Sequence, residues 1–128
     1  MLKILVVDDN ADMIELMKTR FEMKGFDTRI ATDGEEAWKI IKESSPDVVL
    51  ADHNLPGISG SQLCEKIKND PKLKNIVVIL ASASVADEIG SISRRVSADD
   101  YIAKGVDNFD SLFTKVTNLL KQKGKMPS

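Results

Sequence analysis

One cysteine, one tryptophan and one tyrosine occur in the 128 residues, and aromatics make up only 5% of them. A lone cysteine, Cys64, closes no disulfide within the chain and lacks the companions of a zinc site, so a reducing compartment, the cytoplasm, is expected. No apolar run approaches the roughly 20 residues that cross a bilayer, and Met1-Leu2-Lys3-Ile4 enters a strand pattern with no signal peptide ahead of it. An excess of charge of one sign is also missing. The net charge is −2, with 30% charged and 42% hydrophobic residues, an ordinary globular balance without the basic surplus that DNA or RNA binding needs. No glycine-rich phosphate loop is present, and no glycine stands at the first strand-to-helix junction, Asp8-Asp9-Asn10. That argues against a nucleotide or flavin cofactor held in the usual way.

What is present is alternation. Leu2 to Val7, Val48 to Ala51 and Ile76 to Ala81 are continuous apolar runs, the pattern of strands buried on both faces. Phe26, Thr28 and Ile30 alternate with polar residues as a half-buried edge strand does, and Tyr101-Ile102-Ala103 is a short last strand. Between strands, Met13, Leu16, Met17 and Phe21 follow a capping Asn10 at helical spacing and stop at Gly25. Thr32-Asp33-Gly34-Glu35 reads as a capping box ahead of Ala37, Ile40 and Ile41, with Trp38 beside that stripe as packing. A third helix covers roughly 60–68 and carries Leu63, Cys64 and Ile67, until Asn69-Asp70-Pro71 breaks it. Val85, Ile89, Ile92 and Val96 mark a fourth, weakened by serines and by Gly90; a mid-helix glycine alone costs about 1 kcal/mol relative to alanine. Asn108 caps the last helix, whose inner face is Phe109, Leu112, Phe113, Val116, Leu119 and Leu120. Residues 1–121 form one domain, and 122–128 read as a basic, frayed tail. Five strands alternating with five helices, without repeat or linker, predict an α/β fold, a doubly wound parallel sheet in a three-layer sandwich.

Every unusual polar residue lies just past a strand: Asp8, Asp9, Asp52, Ser82 and Lys104. Parallel strands point one way, so these groups share the sheet edge where open α/β sheets bind ligands. Asp52 ends a buried run and is costly there unless it is paired, metal-bound or half in solvent; the plainer reading is a strand-end aspartate capping the next turn. Adjacent Asp8 and Asp9 repel each other without a cation nearby. Three carboxylates with a lysine and a hydroxyl suggest a Mg²⁺ site for phosphoryl chemistry, because a hard cation takes oxygen ligands and neutralises phosphate. Asp52 can itself be the nucleophile and form an acyl phosphate, with Lys104 and the Ser82 hydroxyl on the other phosphoryl oxygens.

Lys3 to Asn10, Pro46 to Asp52, Leu55-Pro56-Gly57-Ile58-Ser59-Gly60, Ser82-Ala83 and Ala98-Asp99-Asp100-Tyr101-Ile102-Ala103-Lys104 stand in one order and at one spacing. Together they resemble the receiver domain of two-component response regulators, over about residues 2–121. The resemblance implies a flavodoxin-like sheet of order 2-1-3-4-5, with the site at the switch point between strands 1 and 3. It implies that Asp52 is the phosphoacceptor. It also implies that Asp9, Asp52 and the backbone carbonyl of Asn54 ligate Mg²⁺ directly, while Asp8 acts through a metal-bound water. Lys104 resembles the family's lysine and Ser82 its hydroxyl residue, which moves toward the phosphoryl group. Tyr101 matches the aromatic that then rotates inward and alters the surface of the fourth helix, last strand and last helix. The donor would be a histidine kinase or phosphotransfer protein, with small acyl phosphates able to substitute. The recipient would be a downstream effector, an output domain or a second copy in a phosphorylation-dependent homodimer. Such a domain catalyses only its own phosphorylation and dephosphorylation.

Some positions depart from the family pattern. Gly105 follows Lys104 where the family has proline in a cis bond, so a trans bond and a looser loop are expected there. Ser97 replaces the usual glycine before Ala98, and the fourth helix is poor in helix formers, which predicts a pliable output surface. Asn54 and Ser84 occupy the variable positions that tune acyl-phosphate lifetime in the family, and His53 stands at another variable one. Two other readings use the same residues. A phosphorylation-independent interaction module would dispense with an acidic residue or the lysine, and all are kept here. A phosphatase of the haloacid dehalogenase type places a second aspartate two residues after the nucleophile, where this chain has Asn54.

Overall fold

The computed structural model describes residues 1–82, 86–104 and 108–127, except for the side chains of 86–90. Its elements alternate: β1 (Lys3–Val7), α1 (Ala11–Met23), β2 (Asp27–Ala31), α2 (Gly34–Ser44), β3 (Val48–Asp52), α3 (Gly60–Lys68), β4 (Val77–Ser82), α4 (Ala86–Arg95), β5 (Asp100–Ala103) and α5 (Phe109–Gln122). The strands form one sheet in the order β2-β1-β3-β4-β5, and every pairing is parallel. Sheet order and element order are those expected from the sequence.

Successive strand residues face opposite sides of a sheet, so a run that is apolar throughout needs cover on both. Leu5, Val7, Val49, Ala51, Val78 and Leu80 pack with Ala37 and Ile41 of α2 and Leu63, Cys64 and Ile67 of α3. The other parity, Ile4, Val6, Val48, Leu50, Val77 and Ile79, packs with Phe21 of α1 and Leu112, Val116 and Leu120 of α5. On that side Phe21 meets Phe26 and Phe109 edge-on, with ring centres 5.5 and 5.1 Å apart. Trp38 lies partly buried against the first cluster and Cys64 is buried within it, as their placement beside apolar stripes suggested.

Helix ends follow local chemistry. Asn10 and Asn108 cap α1 and α5, their side chains accepting the N–H of Met13 at 3.1 Å and of Ser111 at 2.8 Å. The cap of α2 differs from the expected one by a residue. Asp33, not Thr32, accepts the N–H of Glu36 at 2.8 Å, and Glu36, not Glu35, reaches back to the Thr32 N–H at 3.0 Å. Gly34 opens the helix at a point where a Cβ would run into the Ile58 backbone.

Three helices end in the same way. After α1, Gly25 (φ 90°) lets Phe26 N–H reach Phe21 O at 3.1 Å; after α5, Gly124 (φ 73°) lets Lys125 N–H reach Leu120 O at 2.8 Å. After α4 the left-handed residue is Ser97 (φ 63°), with Ala98 N–H on Ser93 O at 2.9 Å. The tail expected to be frayed therefore carries a C-terminal cap. Its Lys125 ammonium also lies 3.5 Å from Asp47 Oδ1, and Met126 packs on the α1/α5 side of the core. The expectations for Ser84, the Lys104–Gly105 bond and the loop after it, and for the Val85 and Ile89 side chains, fall outside the described residues.

Candidate functional site

β1 and β3 are adjacent in the sheet, with Val7 opposite Ala51, so the residues after β1 and at the end of β3 emerge side by side. Asp8 and Asp52 continue the parity that faces α1 and α5, and both are buried. Asp9, the next residue, is exposed. One carboxylate oxygen from each of Asp8, Asp9 and Asp52 lies within 4.8 Å of the other two. Gathering three like charges requires a cation, and the chain supplies one. Lys104, just after β5, places its ammonium 2.6 Å from Asp8 Oδ2 and 2.6 Å from Asp52 Oδ2. Such short charge-assisted bonds are the strong class.

Burial alone would lower the pKa of Lys104. The hydrogen bonds and charges of Asp52 and Asp8 outweigh it and hold the ammonium above its ordinary value. The other oxygens of the two aspartates are tied to the backbone: Asp8 Oδ1 accepts the Asn10 N–H and Asp52 Oδ1 the Asn54 N–H, each at 3.0 Å. Local turns thus fix both carboxylates without using up their lone pairs.

The sequence named Asp8, Asp9, Asp52 and Lys104, and the fold brings all four together. Asn54 is exposed at the rim, and its backbone N–H orients Asp52. Ser82 is fully buried at the end of β4, and its carbonyl takes the Lys104 N–H at 2.8 Å, which anchors the lysine's backbone to the sheet. Ser82 continues the parity of Val78 and Leu80, the face opposite to that of Asp52. Tyr101 lies on β5 with its ring partly buried on that same face. His53 gives its backbone to the sheet, its N–H on Ala81 O at 2.7 Å and its carbonyl accepting Gly60 N–H at 3.1 Å.

Gly60 stands in the motif Leu55 to Gly60, but its contact with Asp52 escaped the sequence reading. A Cβ at Gly60 would collide with the Asp52 carbonyl group, so the start of α3 presses directly on the backbone of Asp52. The signal was a glycine in the first turn of a helix, just past the Pro56-Gly57 turn. Beside the cluster, an apolar cavity of about 80 Å³ is walled by Met13, Met17, Leu50 and Ile102, with Asp8, Asp52 and Lys104 on its polar edge.

The donor set suits a hard divalent cation. All candidate ligands are oxygens, and three carboxylates against one ammonium leave two negative charges for the ion to neutralise. Asp8, Asp9 and Asp52 therefore fit Mg²⁺ as the residues that would hold it.

The family described as "Response regulator receiver domain" matches residues 4–117. Among curated proteins, the chain is 28% identical over 127 residues to the DNA-binding dual master transcriptional regulator RpaA of Synechocystis sp., covering 98% of this chain and 52% of that protein. It is 36% identical over 102 residues to the DNA-binding response regulator MtrA of Mycobacterium tuberculosis, covering 80% of this chain and 43% of that one. The chain spans about half the length of the curated relatives it matches, or less. Among solved structures it is similar to the signal receiver domain of a signal transduction histidine kinase from Syntrophus aciditrophicus, with a TM-score of 0.89, 29% identity and coverage of 100% of this chain and 96% of that one. It is also similar to a CheY-like response regulator receiver domain protein from Methanospirillum hungatei, with a TM-score of 0.88, 27% identity and 98% of each chain covered.

Proposed function

The chain belongs to the response regulator receiver family of two-component signalling, and on that premise we propose that Asp52 is its phosphoacceptor. The observation that carries this is the Lys104 ammonium, 2.6 Å from both Asp8 and Asp52 within a cluster of three carboxylates. An Asp52 oxygen attacks phosphorus, the bond from phosphorus to the donor's imidazole nitrogen or acyl oxygen breaks, and its electron pair leaves with the donor. Lys104 orients Asp52 beforehand and meets a phosphoryl oxygen afterwards. Asp8, Asp9, Asp52 and the Asn54 carbonyl would hold Mg²⁺, which would supply charge neutralisation between those carboxylates and the phosphoryl group.

Ser82 is the hydroxyl residue of this switch and Tyr101 its aromatic, and the altered surface is that of α4, β5 and α5. The donor is a histidine kinase or phosphotransfer protein, and the setting is the cytoplasm. The recipient is an effector protein or an output domain. RpaA and MtrA are named as DNA-binding regulators; with a net charge of −2, no nucleic-acid binding is proposed for this domain itself.

The test is intact mass after incubation with Mg²⁺ and acetyl phosphate, on the wild type and on Asp52→Asn. The expected result is one hydroxylamine-labile adduct of about 80 Da that requires Mg²⁺ and is lost in the variant. Mg²⁺ binding without an adduct from either acetyl phosphate or a histidine kinase would instead favour a phosphorylation-independent interaction module.

A further inference from the structure

Tyr101 lies on β5, the edge strand beside β4. Its backbone is held from both sides: its N–H donates to Asp100 Oδ1 at 2.8 Å, and its carbonyl accepts from Lys115 Nζ at 2.8 Å. Lys115 reaches over from α5, and the same ammonium stands 5.5 Å from the centre of the Tyr101 ring and 4.0 Å from Asp100 Oδ1. One cation therefore meets the backbone, the ring and the neighbouring carboxylate of a single strand position.

A donor for an edge-strand carbonyl would by itself be ordinary capping. What capping does not require is a cation at the aromatic ring, where the ring's quadrupole attracts it. The two oxygen partners of Lys115 belong to the β5 backbone and to Asp100, and they stay in place when the ring turns about χ1. Rotation of Tyr101 thus moves the ring relative to an ammonium that is anchored elsewhere.

We infer that Lys115 is a positioning residue for Tyr101: its ammonium holds the ring in the orientation seen here and biases the equilibrium between ring orientations. The inference rests on the reading of Tyr101 as the aromatic of the switch, and it adds what sets the resting point of that switch. Loss of the ring attraction changes the ratio of orientations about two- to fivefold.

The chain has one tyrosine, so 3-fluorotyrosine places a single ¹⁹F label at residue 101 of the whole protein. Spectra are compared for the wild type, Lys115→Gln, Lys115→Met and Lys115→Arg, with and without Mg²⁺ plus acetyl phosphate. Glutamine keeps a donor but carries no charge, methionine keeps only the stem, and arginine keeps both donor and cation. The expected result is an altered ring signal or population in the Gln and Met variants and a near-wild-type spectrum in the Arg variant. A Gln variant matching the wild type, or a Met variant that loses stability with no change at the ring, overturns the proposal and leaves Lys115 as an edge cap. If the wild-type signal does not move although intact mass shows the adduct, the switch role of Tyr101 fails. The positioning by Lys115 is then judged on the unphosphorylated spectra alone.

Discussion

Replacing Ser97 with glycine should stabilise the protein. Ser97 is exposed, has φ 63° and closes α4 with the same pair of backbone bonds that Gly25 and Gly124 make after α1 and α5. In that conformation a Cβ crowds the following carbonyl, at a cost of about 1–2 kcal/mol. Glycine avoids that cost but loses more backbone freedom on folding, roughly 0.5–1 kcal/mol. The difference leaves a gain of about 0.5–1 kcal/mol for Ser97→Gly. With an unfolding entropy of about 2.1 cal/mol/K per residue over 128 residues, this raises Tm by about 2–4 °C. Thermal unfolding by circular dichroism with parallel urea curves measures it. Ser97→Ala keeps the strain and should change little. Gly25→Ala and Gly124→Ala are the mirror experiment: beyond the adjoining residues no atom lies within 4 Å of either added Cβ, so the expected loss of about 1 kcal/mol comes from the local left-handed backbone and not from a clash with packed neighbours. If Ser97→Gly is neutral or destabilising while Gly25→Ala destabilises, the left-handed conformation is not the governing cost at α4 and the reasoning fails.

Gly60→Ala forces a Cβ into the Asp52 carbonyl group; a loss of about 1–3 kcal/mol is expected, together with slower adduct formation from acetyl phosphate, and normal values for both would contradict the close approach. Mg²⁺ at a hundredfold over its Kd should stabilise the wild type by about 2.7 kcal/mol by mass action, and Asp9→Asn should lose that increment while gaining a few tenths of a kcal/mol in chelator; no Mg²⁺ effect on wild-type Tm would refute the site. Burial, chiefly, pushes the Cys64 thiol up to about 12, and the carboxylates hold Lys104 above its ordinary value, so in each case the folded chain keeps a proton that the unfolded chain releases. Their contribution is whole below the unfolded values and drains away as pH rises, starting at about 9 for the thiol; urea midpoints should fall on the alkaline side, and less steeply in Cys64→Ala.

The parts of this molecule that were legible beforehand are those governed by period and spacing. Unbroken apolar runs named β1, β3 and β4 because only strands covered on both faces can be apolar at every position. Asp8, Asp9, Asp52 and Lys104 could be grouped because parallel strands end at one edge. Less legible were features that depend on contacts between elements. Glu36 rather than Glu35 closes the α2 cap, and the absence of a Cβ at Gly34 lets Ile58 sit against the helix start, a contact no local pattern records. Gly60 against Asp52, and Lys115 on Tyr101, likewise join residues whose neighbours in sequence give no hint of the pairing.

The carboxylate cluster shows how far a sequence argument about charge can go. Asp8 and Asp9 were expected to need a cation, and the fold meets part of that need from within, since Lys104 bridges Asp8 and Asp52. Each of the two buried carboxylates has a short ionic partner and a backbone N–H, so neither is left uncompensated. The Lys104 bridge also divides the site. Asp9, exposed and outside the ion triad, adds the charge that makes a divalent ion a better match than a second lysine would be. Replacing Lys104 with methionine should therefore have opposite consequences in two conditions: a marked loss of stability in chelator, where two buried carboxylates lose their cation, and a larger Mg²⁺-induced rise in Tm than in the wild type. Equal Mg²⁺ increments in the two proteins would mean that the lysine and the metal act on the carboxylates independently, and the shared-charge account of the cluster would have to be abandoned.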